Sequence, residues 1–227
     1  MPSKPDNKTL ITFSTIKGTS SVANGYIRYL STKVSLVISS NNDEFLRSMV
    51  DNIFSQMTIR IGKMELYPKQ QNVVVMPEFK TEMKYVCISP VIIIDPGKEP
   101  NRTEEIVDPA SQEFSDILFN TTIARMEAAG YTEEELRNFE AFEAIPDPEY
   151  LKKVIDNQKR IARLYRTLDE QKIIGYLLPF TLHAHPKVHE FICDCGLGLF
   201  TNQGYGMIDV VPEIPAIVNR DFNAATN

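Results

Sequence analysis

Cys195-Gly196-Leu197-Gly198-Leu199-Phe200-Thr201-Asn202-Gln203-Gly204-Tyr205-Gly206-Met207-Ile208-Asp209-Val210-Val211 places two Gly-x-Gly pairs around a short polar loop and then enters an apolar run of β type. Paired glycines admit positive φ and let backbone N–H groups approach a phosphate that a side chain would hold away. A dinucleotide fingerprint needs a strand before the glycines and a helix after them. Here the order is reversed, with a helix-like stretch leading in and a strand leading out. That excludes a Rossmann reading and points to a loop that holds a nucleic-acid backbone. A turn that only joins two elements would use the same glycines, so the motif alone leaves both readings open.

The chain around this loop has 227 residues, enough for one large domain or two small ones. Its 43% hydrophobic and 24% charged content is that of a soluble globular protein. No apolar run reaches membrane-spanning length, and Met1-Pro-Ser-Lys-Pro-Asp lacks an apolar signal region, so no membrane partner is expected. Three cysteines, an odd number, suggest no disulfide framework and a cytoplasmic location. The net charge of −6 is unevenly spread: Glu99 to Glu149 holds 14 acids and 3 bases, a net of −11, which leaves +5 for the remainder. Nucleic acid responds to that local field, so the overall acidity does not exclude it.

Hydrophobic patterning supplies the elements. Thr9 to Ile16 and Lys33 to Ser39 read as strands, separated by loop material at Lys17 to Ser21 and Asn24-Gly25. Asn41, with Glu44 three positions on, caps a helix whose apolar face is Phe45, Leu46, Met49, Val50, Ile53 and Phe54. Met57 to Leu66 and Asn72 to Met76 follow as extended chain. This strand, strand, helix, strand order matches the last four elements of a β-α-β-β-α-β unit. Beyond it, Met83 to Asp95 is a strand; Pro109 to Ala129, Thr132 to Phe142 and Glu149 to Leu168 are helices. Ile173 to Ala184 is two short strands bent near Gly175 or Pro179, Pro186 opens a short helix, and Tyr205 to Val211 is the last strand. The expected fold class is α+β, two ferredoxin-like units with antiparallel sheets and helices on one face. Residues 9–80 form a partial first unit, 81–211 a second with the glycine loop, and 212–227 a tail.

Three groups of residues could carry chemistry. On the expected helix from Glu149 to Leu168, Lys152, Lys159, Arg163 and Arg166 align in a stripe, with Lys153 and Arg160 beside it and Asp156 within it. Such a row can follow a phosphate backbone, though it also fits a solvated helix face. His183, His185 and His189 fall within seven positions, followed by Cys193 and Cys195. The spacing fits no zinc ribbon or finger, and a C-x-C pair on a helix points in nearly opposite directions, so no metal or other cofactor is expected. His183 and His185 suit general acid–base work on a ribose 2′-hydroxyl, with Tyr165 and Tyr176 as further candidates. Gly-x-Ser-x-Gly and P-loop sequences are absent, which excludes the serine-hydrolase and nucleotide-kinase readings.

Pro186-Lys187-Val188-His189-Glu190-Phe191-Ile192-Cys193-Asp194-Cys195, with the glycine loop behind it, resembles the carboxy-terminal signature of the CRISPR-associated repeat-RNA endoribonucleases. These are the sixth Cas family, of the double-ferredoxin RAMP type, which trims the precursor CRISPR transcript. Ile11-Thr12-Phe13-Ser14, Val34-Ser35-Leu36-Val37-Ile38-Ser39-Ser40 and Ser89-Pro90-Val91-Ile92 agree in order, so the resemblance runs from Thr9 to Val211. It implies two ferredoxin-like units, recognition of a CRISPR repeat, and metal-free cleavage by the 2′-oxygen to a 2′,3′-cyclic phosphate and a 5′-hydroxyl. It also implies RNA contact at Gly196, Gly198, Gly204 and Gly206, with Thr201, Asn202 and Gln203 at the loop.

Two departures qualify the implied activity. Leu199-Phe200 stands where the family's loop carries a basic residue. The chain also opens at what resembles the first unit's second strand, without the preceding strand and helix, so no residue matches the family's catalytic histidine. The implied function is repeat-RNA binding with metal-independent processing of precursor CRISPR RNA, its catalytic residues unassigned. A truncated product, a relocated base, or a chain that binds without cutting all remain open. One alternative is an RNA-binding subunit that keeps the processed guide and hands it to a CRISPR interference complex. Another is a ferredoxin-like protein-interaction module.

Overall fold

A computed structural model describes residues 8–23, 26–94 and 106–212. The amino-terminal half begins with β1 (Ile11–Phe13), β2 (Ser20–Ala23), β3 (Tyr26–Tyr29) and β4 (Ile38–Ser40). β1 pairs antiparallel with β4, while β2 and β3 form a separate exposed hairpin where the sequence suggested loop. Helix α1 (Asp43–Ser55) follows, capped by Asn42, whose Oδ1 accepts from the Phe45 amide at 2.9 Å. The cap had been expected one residue earlier. Asn41 is otherwise engaged: its Oδ1 accepts from the Leu10 amide and its amide group donates to the Lys8 carbonyl, fastening the helix start to β1. A second hairpin, β5 (Ile59–Ile61) and β6 (Met64–Leu66), completes this half. Asn72 to Met76, expected as extended chain, joins no ladder among the described residues.

The second half comprises β7 (Glu82–Cys87), β8 (Val91–Ile92), α2 (Gln112–Ala129), α3 (Glu133–Arg137), β9 (Phe142–Pro146), α4 (Pro148–Asp156), β10 (Ala162–Arg166), β11 (Lys172–Tyr176), β12 (Pro179–Ala184), α5 (Pro186–Cys195) and β13 (Ile208–Val210). Four strands form one antiparallel sheet in the order β13-β7-β12-β9. With α2 after β7 and α5 after β12, the connectivity is β-α-β-β-α-β, a complete ferredoxin-like unit. β8 and the α4–β10–β11 segment are insertions, and their strands form a second sheet, β10-β11-β8. Ile173 to Ala184 is two strands, as expected, but they belong to different sheets.

Local chemistry explains where these elements start and stop. Ser111 caps α2 by accepting from the Phe114 amide, and Gly130, at φ 103°, ends it in the left-handed conformation. Pro186 occupies the first turn of α5, where its missing N–H costs nothing. On the sheet, alternation puts Met83, Tyr85, Phe180, Leu182, Ala184 and Ala144 inward, against Phe114, Ile117 and Leu118 of α2 and Val188, Phe191 and Ile192 of α5. Each large side chain buried this way contributes about 1.5–3 kcal/mol. Among the described residues, every buried hydrophobic residue lies at Met83 or beyond; before it, the buried residues are Thr12, Ser14 and Ser40.

Two helices expected from periodicity form only in part. The segment from Thr132 to Phe142 is helical only over α3, and Phe142 already opens β9. The segment from Glu149 to Leu168 splits at Asn157-Gln158. Lys159 N–H donates to the Val154 carbonyl, Gln158 takes φ 52°, and the chain re-emerges as β10. That C-terminal turn is made by a glutamine in a conformation usually signalled by glycine. No helix among the described residues is long and apolar enough to cross a membrane. The expected tail from 213 onward lies outside the described residues.

Candidate nucleic-acid interface

The glycine loop links the C-terminus of α5 to β13 and is built largely from inward bonds. Leu197 N–H donates to the Gly206 carbonyl and Gly206 N–H to that of Pro90, each at 2.7 Å. Leu199 N–H donates to the Ile92 carbonyl at 3.0 Å, and Met207 N–H to the buried Ser89 hydroxyl at 2.8 Å. Two glycines are demanded by space as well as by φ. A Cβ at Gly198 (φ 79°) would stand 2.5 Å from the Ile92 carbonyl oxygen, and one at Gly206 (φ 73°) would fall on that of Leu197. Gly196 and Gly204 meet Thr12 and Phe13 of β1 in the same way, so this loop is also where the two halves of the chain touch. The Cβ side of all four glycines is therefore filled by the protein, and Gly196, Gly198 and Gly206 are buried, so a ligand's approach is confined to Gly204 and the loop tip.

Beneath the loop lies Arg125 of α2. Its Nη1 donates to the carbonyls of Gly196 (2.6 Å) and Gly198 (3.1 Å); its Nη2 donates to the Cys195 carbonyl (2.5 Å) and the Thr201 hydroxyl (3.1 Å). The guanidinium sits 5.6 Å from the centre of the Phe191 ring. Burial lowers its pKa, and the negative end of the α5 dipole favours its charge. The sequence reading missed this residue. The signal was available: Arg125 is a lone cation on the helix stripe that carries Leu118, Thr122 and Met126, all of them buried.

The loop tip, a single 3₁₀ turn at Thr201–Gln203, exposes Asn202 and is stitched to the inserted hairpin. Gln203 Oε1 accepts from the Leu168 amide at 2.9 Å, and Tyr205 donates through its hydroxyl to the Arg166 carbonyl at 2.6 Å. Tyr165 and Tyr205 meet edge to face with ring centres 6.0 Å apart. Strand alternation sets Arg163 on the same face of β10 as Tyr165. The expected basic stripe is redistributed. Lys152 is on α4, Lys159 is exposed between elements, and Arg163 and Arg166 are on β10 beside the glycine loop, with Arg166 paired to Glu170.

The histidines are likewise separated. His189 is fully buried, with Nδ1 2.8 Å from the Tyr85 hydroxyl and no hydrogen-bond partner at Nε2. Burial lowers its pKa, opposed by the nearby Thr81 and Ala184 carbonyls. His185 caps α5, its Nδ1 accepting from the Lys187 amide at 3.2 Å. His183 is half-exposed on β12, 3.8 Å from Glu82 and flanked across the sheet by Glu143. The α5 helix, with its 10 residues, holds His185 about 15 Å from Gly196. Cys193 and Cys195 are buried and their thiols are pushed up to about 12 by desolvation, so both stay protonated. Tyr176 is buried, donating to the Val107 carbonyl at 2.8 Å. Among the described residues no three His, Cys, Asp or Glu side chains gather as metal ligands.

The fold is shared with solved structures. A Cas6-related protein from Pyrococcus furiosus superposes with a TM-score of 0.71 at 21% identity, over 92% of this chain and 81% of that one. A RAMP protein binding different RNA substrates gives 0.68 at 20% identity, over 91% and 81%. A CRISPR associated protein Cas6 gives 0.67 at 19%, over 89% and 79%. No curated protein matches the chain in sequence. The family described as CRISPR associated protein Cas6, C-terminal, matches residues 70–210, more than half the chain and all of the β-α-β-β-α-β unit with its glycine loop. The chain belongs to the Cas6 family of CRISPR-associated proteins.

Proposed function

We propose that this chain binds CRISPR repeat RNA at the glycine loop and cuts precursor CRISPR RNA without a metal ion. The observation that carries the proposal is the convergence of the exposed loop tip, the Tyr165–Tyr205 pair and Arg163 on one side of the second sheet. Basic and aromatic groups beside polar loop residues suit an unstacked strand and its phosphates. The fold neighbour that binds different RNA substrates agrees with this reading. Loop contacts fall to Asn202, Gln203, Gly204 and Tyr205; Thr201 is held from below by Arg125, and Gly196, Gly198 and Gly206, expected to touch RNA, are buried with backbone groups bonded within the protein, so they shape the loop instead.

In the cleavage step the ribose 2′-oxygen attacks the adjacent phosphorus and the bond to the 5′-oxygen breaks. The 2′-hydroxyl proton goes to a base, and a proton is delivered to the leaving oxygen, giving a 2′,3′-cyclic phosphate and a 5′-hydroxyl. His183 is the better placed of the two candidates: its ring is half-exposed and has a carboxylate beside it, whereas His185 is committed to capping α5.

The distance of one helix length between the histidines and the loop favours a second reading, a subunit that retains its RNA and passes it to an interference complex uncut. Incubating the purified chain with its own repeat RNA in EDTA, on denaturing and native gels, decides. A single cut ending in a cyclic phosphate that His183→Ala abolishes supports cleavage. An intact but shifted repeat supports retention, and neither cut nor shift refutes both.

A further inference from the structure

We infer that Arg125 is a positioning residue for RNA, holding the glycine loop in its binding shape without touching the nucleic acid itself. The inference rests on the RNA-binding reading above. Each peptide plane that Arg125 touches is pinned at both ends. The Cys195 carbonyl accepts from Arg125 while the amide on the same plane, that of Gly196, donates to Ile192. The Gly196 carbonyl accepts from Arg125 while the Leu197 amide donates to Gly206. The Gly198 carbonyl accepts from Arg125 while the Leu199 amide donates to Ile92. A fourth bond, to Thr201 Oγ1, fixes the first residue of the loop tip.

The charge of this residue has an unusual setting. Arg125 comes from the acidic middle of the sequence, yet among the described residues its guanidinium pairs with no carboxylate. Its partners are the carbonyls at the C-terminus of α5 and one hydroxyl. A buried cation with neutral partners keeps its net charge beneath the loop, where the segment itself carries Leu199-Phe200 and no base. Only a planar fork reaches the three carbonyls and the hydroxyl together; an ammonium is a point donor. Lysine therefore preserves the charge and loses the geometry.

The test compares the intact chain with Arg125→Lys, and with Thr201→Val as a milder variant that removes one contact and leaves the sheet alone. Hydrogen exchange reads the loop without RNA. Arg125→Lys should lose protection at Leu197, Leu199 and Gly206 while β7 and β12 keep theirs. Repeat-RNA affinity should fall about tenfold, with less loss for Thr201→Val. In Arg125→Gln, which removes the charge, the dependence of affinity on salt should keep its slope, because a lost phosphate contact would lower that slope by about one. Unchanged loop protection, unchanged affinity despite a loosened loop, or a reduced salt slope would each overturn the inference. An intact chain that ignores repeat RNA sinks the RNA-binding reading, and with it the assigned role, even where the exchange result confirms the pinning.

Discussion

Alanine at Gly206 tests whether the loop is locked by backbone contacts. The φ of 73° costs alanine about 1–2 kcal/mol. The added Cβ then falls on the Leu197 carbonyl oxygen, which is backbone and cannot rotate away. Relief requires the strand of loop to shift, which strains or breaks the Leu197-to-Gly206 and Gly206-to-Pro90 bonds. A buried bond left unmade costs about 1–3 kcal/mol, and the stiffer unfolded chain returns about 0.4–1. With both bonds lost the terms sum to about 2–8 kcal/mol, with a centre of about 5. Gly130→Ala is the control, since it also imposes positive φ but meets only the flexible end of Lys8, 3.0 Å away. Less the same return from the unfolded chain, it should cost about 1 kcal/mol. Urea unfolding of both variants measures the difference directly. Equal losses would refute the argument, because they would mean the loop relaxes around a methyl group at no cost.

Further expectations follow from charge and burial. Lys159→Glu with Arg163→Glu should weaken repeat binding and lower the salt slope by about 2, even though the two residues share no helix; an unchanged slope removes them from the RNA surface. Burial lowers the pKa of His189 in the folded chain, while the unfolded ring titrates near its ordinary value of about 6.5. Its effect is absent above that pH, and stability should fall as pH drops below it, a fall that His189→Gln should flatten in urea titrations. Asp194 has the opposite sign: burial, with Glu190 and Asp43 nearby, pushes its carboxyl up to about 6. Its contribution to stability is full below the unfolded value and is lost as pH rises through about 6. Asp194→Asn should therefore stabilise the chain at pH 7.5, by on the order of 1 kcal/mol after screening, and have little effect near pH 3.5.

How much of this was legible depended on whether a local signal stood alone. Pro186, the apolar spacing after it and the alternation of Pro179 to Ala184 each specify one element, and α5 and β12 follow directly. Ala162-Arg163-Leu164-Tyr165-Arg166 was misread because its apolar residues also continue the helical period of α4. What decides it is the turn at Gln158 and the pairing with Lys172 to Tyr176, and pairing is a tertiary fact. β9 was hidden for the same reason: Phe142 to Pro146 acquires its identity from β12. The glycines were recognised, but their reason was only half visible. Sequence shows that φ is free; structure shows Ile92, Leu197, Thr12 and Phe13 occupying the vacated space. The scattering of the three histidines could not be read from a seven-residue window, since a strand, a cap and a buried helix face take one each.

The concentration of buried hydrophobic residues at and beyond Met83 has a consequence for how the molecule is made. A ribosome releases the amino-terminal half first, yet the apolar interior that could organise that half is encoded after it. β1 finds its seat against Gly196, Gly204 and Tyr205, which are translated about 190 residues later than Thr12 and Phe13. Emergence and folding therefore run in opposite directions along this chain. β1 must wait in the open until the glycine loop closes over Thr12 and Phe13, whereas Val22, Tyr26 and Ile27 stay exposed even in the finished fold.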